Sequence, residues 1–266
     1  MTPTLIHHGP QGRPDTVQSA RARDWAEIQE RMFVPLYDTV YQRLEVGRDT
    51  RLLGLGCGSG LALLRAAALG AEVTGADTDT DRLRLAQERL LPEPERGGRR
   101  WPARLVAAAV PEHEPAHYTL ITAFSEPPDA ALLRRAAGLA LPGTPVVLAG
   151  WSDPGQCAAT ITRRLGEGPA GPESGGGAAQ QAYLTALAAE AGLRYRETGE
   201  VDCPFGYPTL ACALRGLLAT GSFDGAVRTA GPEQVSKELS EALRPYLEPD
   251  GTVWLPNPLT YVIAEA

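Results

Sequence analysis

Arg51-Leu52-Leu53-Gly54-Leu55-Gly56-Cys57-Gly58-Ser59-Gly60 is the stretch whose reading decides the fold. Arg51 to Leu55 is short, apolar and bounded by glycine, the pattern of a buried strand. Gly56, Gly58 and Gly60 follow as a turn, and Leu61 to Leu69 is an apolar, alanine-rich run with helical character. Strand, glycine turn and helix together bring backbone N–H groups and a helix N-terminus against a nucleotide-like ligand. Glycine suits such a turn because a side chain would block the ligand and because many of these turns need positive φ.

The dinucleotide fingerprint wants glycines at its first, third and sixth positions. Counting from Gly54, Gly56 or Gly58, the sixth residue is Ser59, Leu61 or Leu63, so NAD and FAD are disfavoured. The pattern that fits is Gly-x-Gly-x-Gly over Gly56–Gly60; an ordinary tight strand–helix turn of another α/β protein is the alternative. Ala71-Glu-Val-Thr-Gly-Ala-Asp77 reads as a second strand ending in an acid. Asp77 stands about 20 residues beyond the turn, where a ribose-binding carboxylate is expected. The alternative for Asp77 is an exposed helix cap, a role Asp79 can also fill.

At 266 residues the chain is long enough for one domain with a full core and a cap. A net charge of −7 disfavours a nucleic-acid partner. Lys237 is the single lysine, which removes Schiff-base and P-loop lysine chemistry from consideration. The four cysteines (Cys57, Cys157, Cys203, Cys212) form no Cys-x-x-Cys and no zinc spacing, so no metal is expected and the thiols read as reduced. Asp77, Asp79, Asp81 and Glu88 mimic the acids of a calcium loop, but Arg82 stands where the loop needs glycine. No apolar run reaches the roughly 18 residues of a membrane helix, and Met1 to Pro14 lacks the hydrophobic region of a signal peptide. The expectation is a cytoplasmic chain with no membrane partner, monomeric or homodimeric.

Residues 1–46 read as a loose arm, with His7-His8 in it, followed by covering helices over Val17 to Val46. There Trp25, Ile28, Met32, Phe33, Leu36, Tyr37, Val40, Tyr41 and Leu44 recur at helical spacing. Pro35 should break or kink that pattern. Residues 47–266 read as the main domain. Strand 51–55, helix 59–69, strand 71–76 and helix 79–90 alternate, and further strands follow near 103–106, 117–123 and 144–150. Such alternation predicts right-handed βαβ units and a parallel sheet. Ligands of open α/β sheets sit beyond the strand C-termini, which puts Phe124, Ser125 and Glu126, then Trp151, Ser152 and Asp153, at one rim. Glu126 is the leading acid–base candidate, with an exposed loop acid or cap as its alternative; His113 and His117 are further bases. Gly166–Gly177 reads as a linker or lid hinge. About 45 residues separate the last two strands, far more than a hairpin loop of 2–5. This insertion, about 204–250, is expected to cap the substrate side.

Residues 20–266 resemble class I S-adenosylmethionine (SAM) dependent methyltransferases, especially small-molecule members of bacterial secondary metabolism. Gly-Cys-Gly-Ser-Gly at 56–60, the Gly75-x-Asp77 strand end, the Leu141-Pro-Gly turn and Trp151-Ser-Asp153-Pro carry the likeness. The resemblance implies a Rossmann-like, mostly parallel seven-stranded sheet with helices on both faces and an antiparallel pair formed by the last two strands. It implies SAM as cofactor, bordered by Leu55, Gly56, Cys57, Gly58, Gly60, Asp77, Thr78 and Phe124, and a small-molecule substrate. Trp25, Phe33, Tyr37, Trp151, Phe205 and Tyr207 would face that substrate. The sequence departs from the family at two places. Gly54 stands where the family has an acid near the methionine ammonium, and Leu105-Val-Ala-Ala-Ala-Val110 has no acid for the adenine amino group. Two functions follow: methyl transfer to an O, N or C nucleophile, or a repurposed fold that cyclises, dehydrates or rearranges a biosynthetic intermediate without it. A third is a non-catalytic partner subunit.

Overall fold

A computed structural model of the chain describes residues 17–93, 97–112, 117–124, 127–152 and 176–266. Its centre is a seven-stranded sheet. Strands β1 (Arg51–Leu55), β2 (Glu72–Ala76), β3 (Ala103–Val106), β4 (Leu120–Ala123), β5 (Pro145–Trp151), β6 (Arg194–Asp202) and β9 (Pro258–Glu265) lie in the order β3-β2-β1-β4-β5-β9-β6. The first five pair in parallel, while β9 runs antiparallel to both β5 and β6. The order reverses beside β1, so the glycine turn after β1 opens at the switch point where such sheets take ligands.

Neighbouring residues along each central strand feed opposite faces, as the period of two requires. Leu52, Val147, Ala149 and Ile263 join one buried cluster with Leu63, Leu36 and Tyr41. Leu53, Ile121, Val146, Leu148 and Val262 join the other, with Leu133, Leu184 and Ala188. The first cluster is covered by α2 (Val34–Arg43), α3 (Leu61–Ala68) and α4 (Thr80–Leu90); the second by α5 (Ala130–Ala137) and α6 (Gly176–Glu190). Asp79 caps α4 by accepting from the Asp81 and Arg82 N–H groups, so this acid of the calcium-like run serves as a helix cap.

The leading helical stretch is three kinds of helix in succession. α1 (Val17–Asp24) passes into a π-helical turn, Trp25–Gln29, then a 3-10 turn, Glu30–Phe33, and only then α2. Pro35 does not break the helix as expected from the sequence. It sits in the first turn of α2, where its missing N–H costs nothing, and the change of helix type lies before it. Between β6 and β9 come β7 (Phe205–Tyr207), α7 (Leu210–Leu218), α8 (Asp224–Ala230), α9 (Pro232–Leu243) and β8 (Val253–Leu255). β7 and β8 form their own two-stranded sheet, and Tyr207, Leu217, Phe223, Val235, Leu239 and Val253 make a small core of their own. This insert is tied to the leading stretch. Tyr207 Oη donates to Gln29 Oε1 at 2.8 Å, Arg21 pairs with Asp224, and Arg215 grips Asp24 with two nitrogens. Among the described residues no helix is long and apolar enough to cross a membrane.

Candidate functional site

Gly56, Gly58 and Gly60 all have positive φ (57°, 55° and 78°), so the backbone itself demands glycine in this turn. Their further roles differ. A Cβ on Gly60 would stand 3.0 Å from the Ala86 Cβ, so Gly60 lets α3 start hard against α4. A Cβ on Gly58 would meet Trp25 Nε1 at 3.1 Å and Glu30 Oε1 at 3.2 Å. The leading stretch therefore rests directly on the glycine turn.

Asp77 follows directly on β2 and is only 9% exposed. Its Oδ2 accepts from the Gly58 N–H and its Oδ1 from the Asp79 N–H, both at 2.8 Å. Each oxygen keeps a lone pair, so the group still has acceptor capacity for a diol while it braces the turn. Cys57 N–H donates to Ala76 O, tying the turn to the same strand end. Thr78 is exposed beside it.

A buried polar cluster lies on the other side of the turn. Glu30 is 2% exposed; its Oε2 accepts from Ser59 Oγ and from Arg89 Nη1, the latter at 2.9 Å. Arg89 Nη1 also reaches the Ser59 carbonyl and hydroxyl oxygens, each at 2.8 Å. Glu30 Oε1 accepts a long bond, 3.4 Å, from the Leu61 N–H. Trp25 is fixed from outside by Arg82, whose guanidinium sits 4.4 Å above the indole.

Trp25, Glu30, Tyr37, Gly54, Leu55, Gly56, Cys57, Gly58, Ala62, Leu63, Thr122 and Phe124 enclose a pocket with about 20 Å³ open to the centre of a water-sized sphere, room for one water. Among the described residues its wall carries one carboxylate, three aromatic side chains and no arginine or lysine. Such a wall suits a cation and repels a pyrophosphate. Gly54 is bare for a packing reason: Leu63 Cδ2 lies 2.9 Å from where its Cβ would stand. The turn after β3 supplies only Ala107, Ala108, Ala109 and Val110.

The structure brings Trp25, Tyr37, Leu55, Gly56, Cys57, Gly58 and Phe124 to this pocket; Gly60, Asp77 and Thr78 are not in its lining, and Asp77 reaches the turn through the Gly58 N–H. Phe33 and Trp151 stand behind the wall, their rings 6.0 Å apart. Phe205 packs between the central core and the core of the insert. Tyr207, expected to face substrate, is fully buried in the insert and spends its hydroxyl on Gln29. His117 is placed away from the site: it precedes β4, at the N-terminal end of the sheet, with its N–H on Leu139 O. Seven residues at roughly 3.3 Å each separate it from Phe124 at the pocket. Glu126 and His113 lie outside the described residues, as do the His7-His8 pair and most of the glycine-rich 166–177 stretch. Sequence reading missed Glu30, Ser59 and Arg89. Glu30 follows Gln29 in a helical run, where polar residues normally mark the solvent face; Ser59 was the one clue, a hydroxyl between two glycines.

Burial raises the pKa of weakly acidic groups in the pocket wall and in the cores beside it. The Cys57 thiol and the Tyr37, Tyr41 and Tyr207 phenols are held well above their ordinary range, chiefly by desolvation, and Cys203 is pushed up to about 11 from 9.0. The sign is definite. Up to about pH 8 these groups are mostly protonated folded or unfolded. Above it the unfolded chain ionises while the folded one resists, so stability falls as pH rises from 9 to about 11. Melting temperatures across pH 8–11 are expected to decline steadily, and Cys57 and Cys203 to escape thiol labelling at pH 8 unless denaturant is added.

Comparison with solved structures fits this geometry. YcgJ from Bacillus subtilis matches 86% of the chain and 97% of its own length, with a TM-score of 0.55 at 14% identity. A Haemonchus contortus phosphoethanolamine N-methyltransferase 2, bound to phosphomonomethylethanolamine and S-adenosylhomocysteine, matches 93% of this chain and 57% of its own (TM-score 0.52, 14% identity). The chain carries the class I methyltransferase fold. SpnF, a [4+2]-cyclase, shares this class I fold over 86% of the chain and 79% of its own, with a TM-score of 0.50 at 15% identity. No family model and no curated protein matches the chain.

Proposed function

We propose that the protein is a small-molecule methyltransferase that takes SAM over the glycine turn and acts on an acceptor of natural-product type through an O, N or C nucleophile. The observation that carries this reading is a positive-φ glycine turn flanked by two carboxylates, Asp77 bonded to the Gly58 N–H and Glu30 in the pocket wall. A cationic, diol-bearing ligand is what such a pair recognises. Asp77 would accept from the ribose hydroxyls, and the Trp25, Tyr37 and Phe124 rings would border the sulfonium. When bound, SAM supplies an already activated methyl group, so the chain's task is mainly to orient the acceptor and exclude water. Glu126 and His113 remain the candidates to take the acceptor's proton.

The chemistry of the wall fits SAM; the room does not while Trp25 and Glu30 lie on the turn. Binding therefore requires residues 25–33 to move outward. With saturating S-adenosylhomocysteine, amides of 25–33 should change their hydrogen-exchange protection while those of β1 and β4 stay protected. Binding that leaves 25–33 unchanged would contradict the reading.

A second reading has its own support. Gly54, the apolar turn after β3 and the filled cradle favour a pocket that no longer transfers methyl groups and instead shapes a cyclisation, dehydration or rearrangement. The cyclase SpnF illustrates that class of chemistry on the same fold.

A further inference from the structure

We propose that Trp25 Nε1–H and Glu30 Oε1 together form a subsite for the α-amino acid end of the ligand: the indole N–H donates to the ligand carboxylate, and Glu30 accepts from the ligand ammonium. This rests on the SAM reading above and assigns to two residues of the leading stretch a role that the bare Gly54 does not fill.

Trp25 is only 7% exposed, borders the pocket, and its Nε1 has no hydrogen-bond partner among the described residues. An orphaned buried donor costs about 1–3 kcal/mol, which a ligand acceptor recovers. Glu30 is the one carboxylate in the described pocket wall. Its Oε2 is committed to Ser59 and Arg89, while its Oε1 faces the turn with a single long bond. Both tips lie just over 3 Å from the same point above Gly58, so donor and acceptor converge on one small region over the turn. A zwitterionic head group offers the complementary pair; a plain alkyl chain or a phosphate does not. The segment that carries both tips is also the one built to give. Its π and 3-10 turns have poorer hydrogen-bond geometry than the α-helices that flank it, so it can shift outward as the head group enters.

The test is calorimetry on the full chain with two ligands. S-Adenosylhomocysteine has the amino acid end; 5′-methylthioadenosine shares the thioether nucleoside and lacks it. Wild type is expected to bind the first at least tenfold more tightly. Trp25→Phe, which leaves the Glu30–Arg89 pair intact, and Glu30→Gln should each weaken S-adenosylhomocysteine by about 10- to 100-fold, as expected for a lost bond to a charged group. Both should leave methylthioadenosine within about twofold. Equal losses for both ligands, unchanged affinity, or tighter binding by Trp25→Phe overturns the subsite. Equal wild-type affinity for the two ligands overturns the subsite and leaves the SAM reading standing; no binding of either overturns both.

Discussion

Arg89→Met is expected to destabilise the protein by about 3 kcal/mol, the usual cost of stripping one partner from a buried ion pair. The reason is local. The Glu30 side chain is 3% exposed and its partner Arg89 only 23%, so little solvent screens the pair or replaces it. Removing the guanidinium leaves a carboxylate buried between Ser59 and the glycine turn, and Ser59 O loses a donor as well. For a chain of this size the melting temperature should fall by roughly 6–12 °C. A second substitution separates the pair's net worth from the cost of breaking it. Arg89→Met combined with Glu30→Met should recover most of the loss, because replacing both partners of a buried pair is often close to neutral. Urea unfolding of the two variants checks this; a loss below about 1 kcal/mol for Arg89→Met would mean that Glu30 is solvated and the closed arrangement absent.

Gly58→Ala should cost about 2–3 kcal/mol and expel Trp25 from the turn. Left-handed backbone costs a non-glycine residue roughly 1–2 kcal/mol by itself. At φ 55° the new methyl also stands 3.1 Å from the indole nitrogen and 3.2 Å from the Glu30 carboxylate, so one of them must yield. Gly143→Ala is the control: its φ is 78° and nothing lies within 4 Å of its Cβ. It should show the backbone cost alone. Trp25 emission should shift to the red in Gly58→Ala and not in Gly143→Ala. Equal losses in the two variants would mean that the leading stretch does not rest on the turn.

What the sequence reveals and conceals about this molecule follows from the range of the forces involved. β1, the glycine turn, α3 and β2 are local patterns: a short apolar run, residues that accept positive φ, then helical spacing. The sequence reading of residues 51–77 accordingly lies within one or two residues of the observed elements. The insertion before the last strand is also legible, because a gap of that length cannot be a hairpin. The pocket is not local. Glu30 reaches Ser59 and Arg89 across 29 and 59 residues of chain. By spacing alone residue 30 belongs to the buried face, four after Ala26, three before Phe33 and seven before Tyr37, but an acid there reads as solvent-facing until its distant partners Ser59 and Arg89 are known. Tyr207 was misplaced for the same reason. An aromatic beside Gly206 and Pro208 suggests a pocket rim, whereas tertiary packing buries it against Gly216 and Gln29. His117 stands before the fourth strand, at the N-terminal end of the sheet, whereas the site lies beyond the strand C-termini, so its position along the strand rules it out as a base.

Calorimetric titration of the full chain with SAM decides whether the glycine turn takes SAM beneath the chain's own Trp25 and Glu30, as proposed. Saturable binding with a micromolar dissociation constant is expected, weaker than that of an open cradle because part of the binding energy displaces residues 25–33. Absence of binding up to millimolar SAM would contradict it. Trp25 and Glu30 would then be permanent parts of the wall, and the fold would serve a reaction that needs no methyl donor.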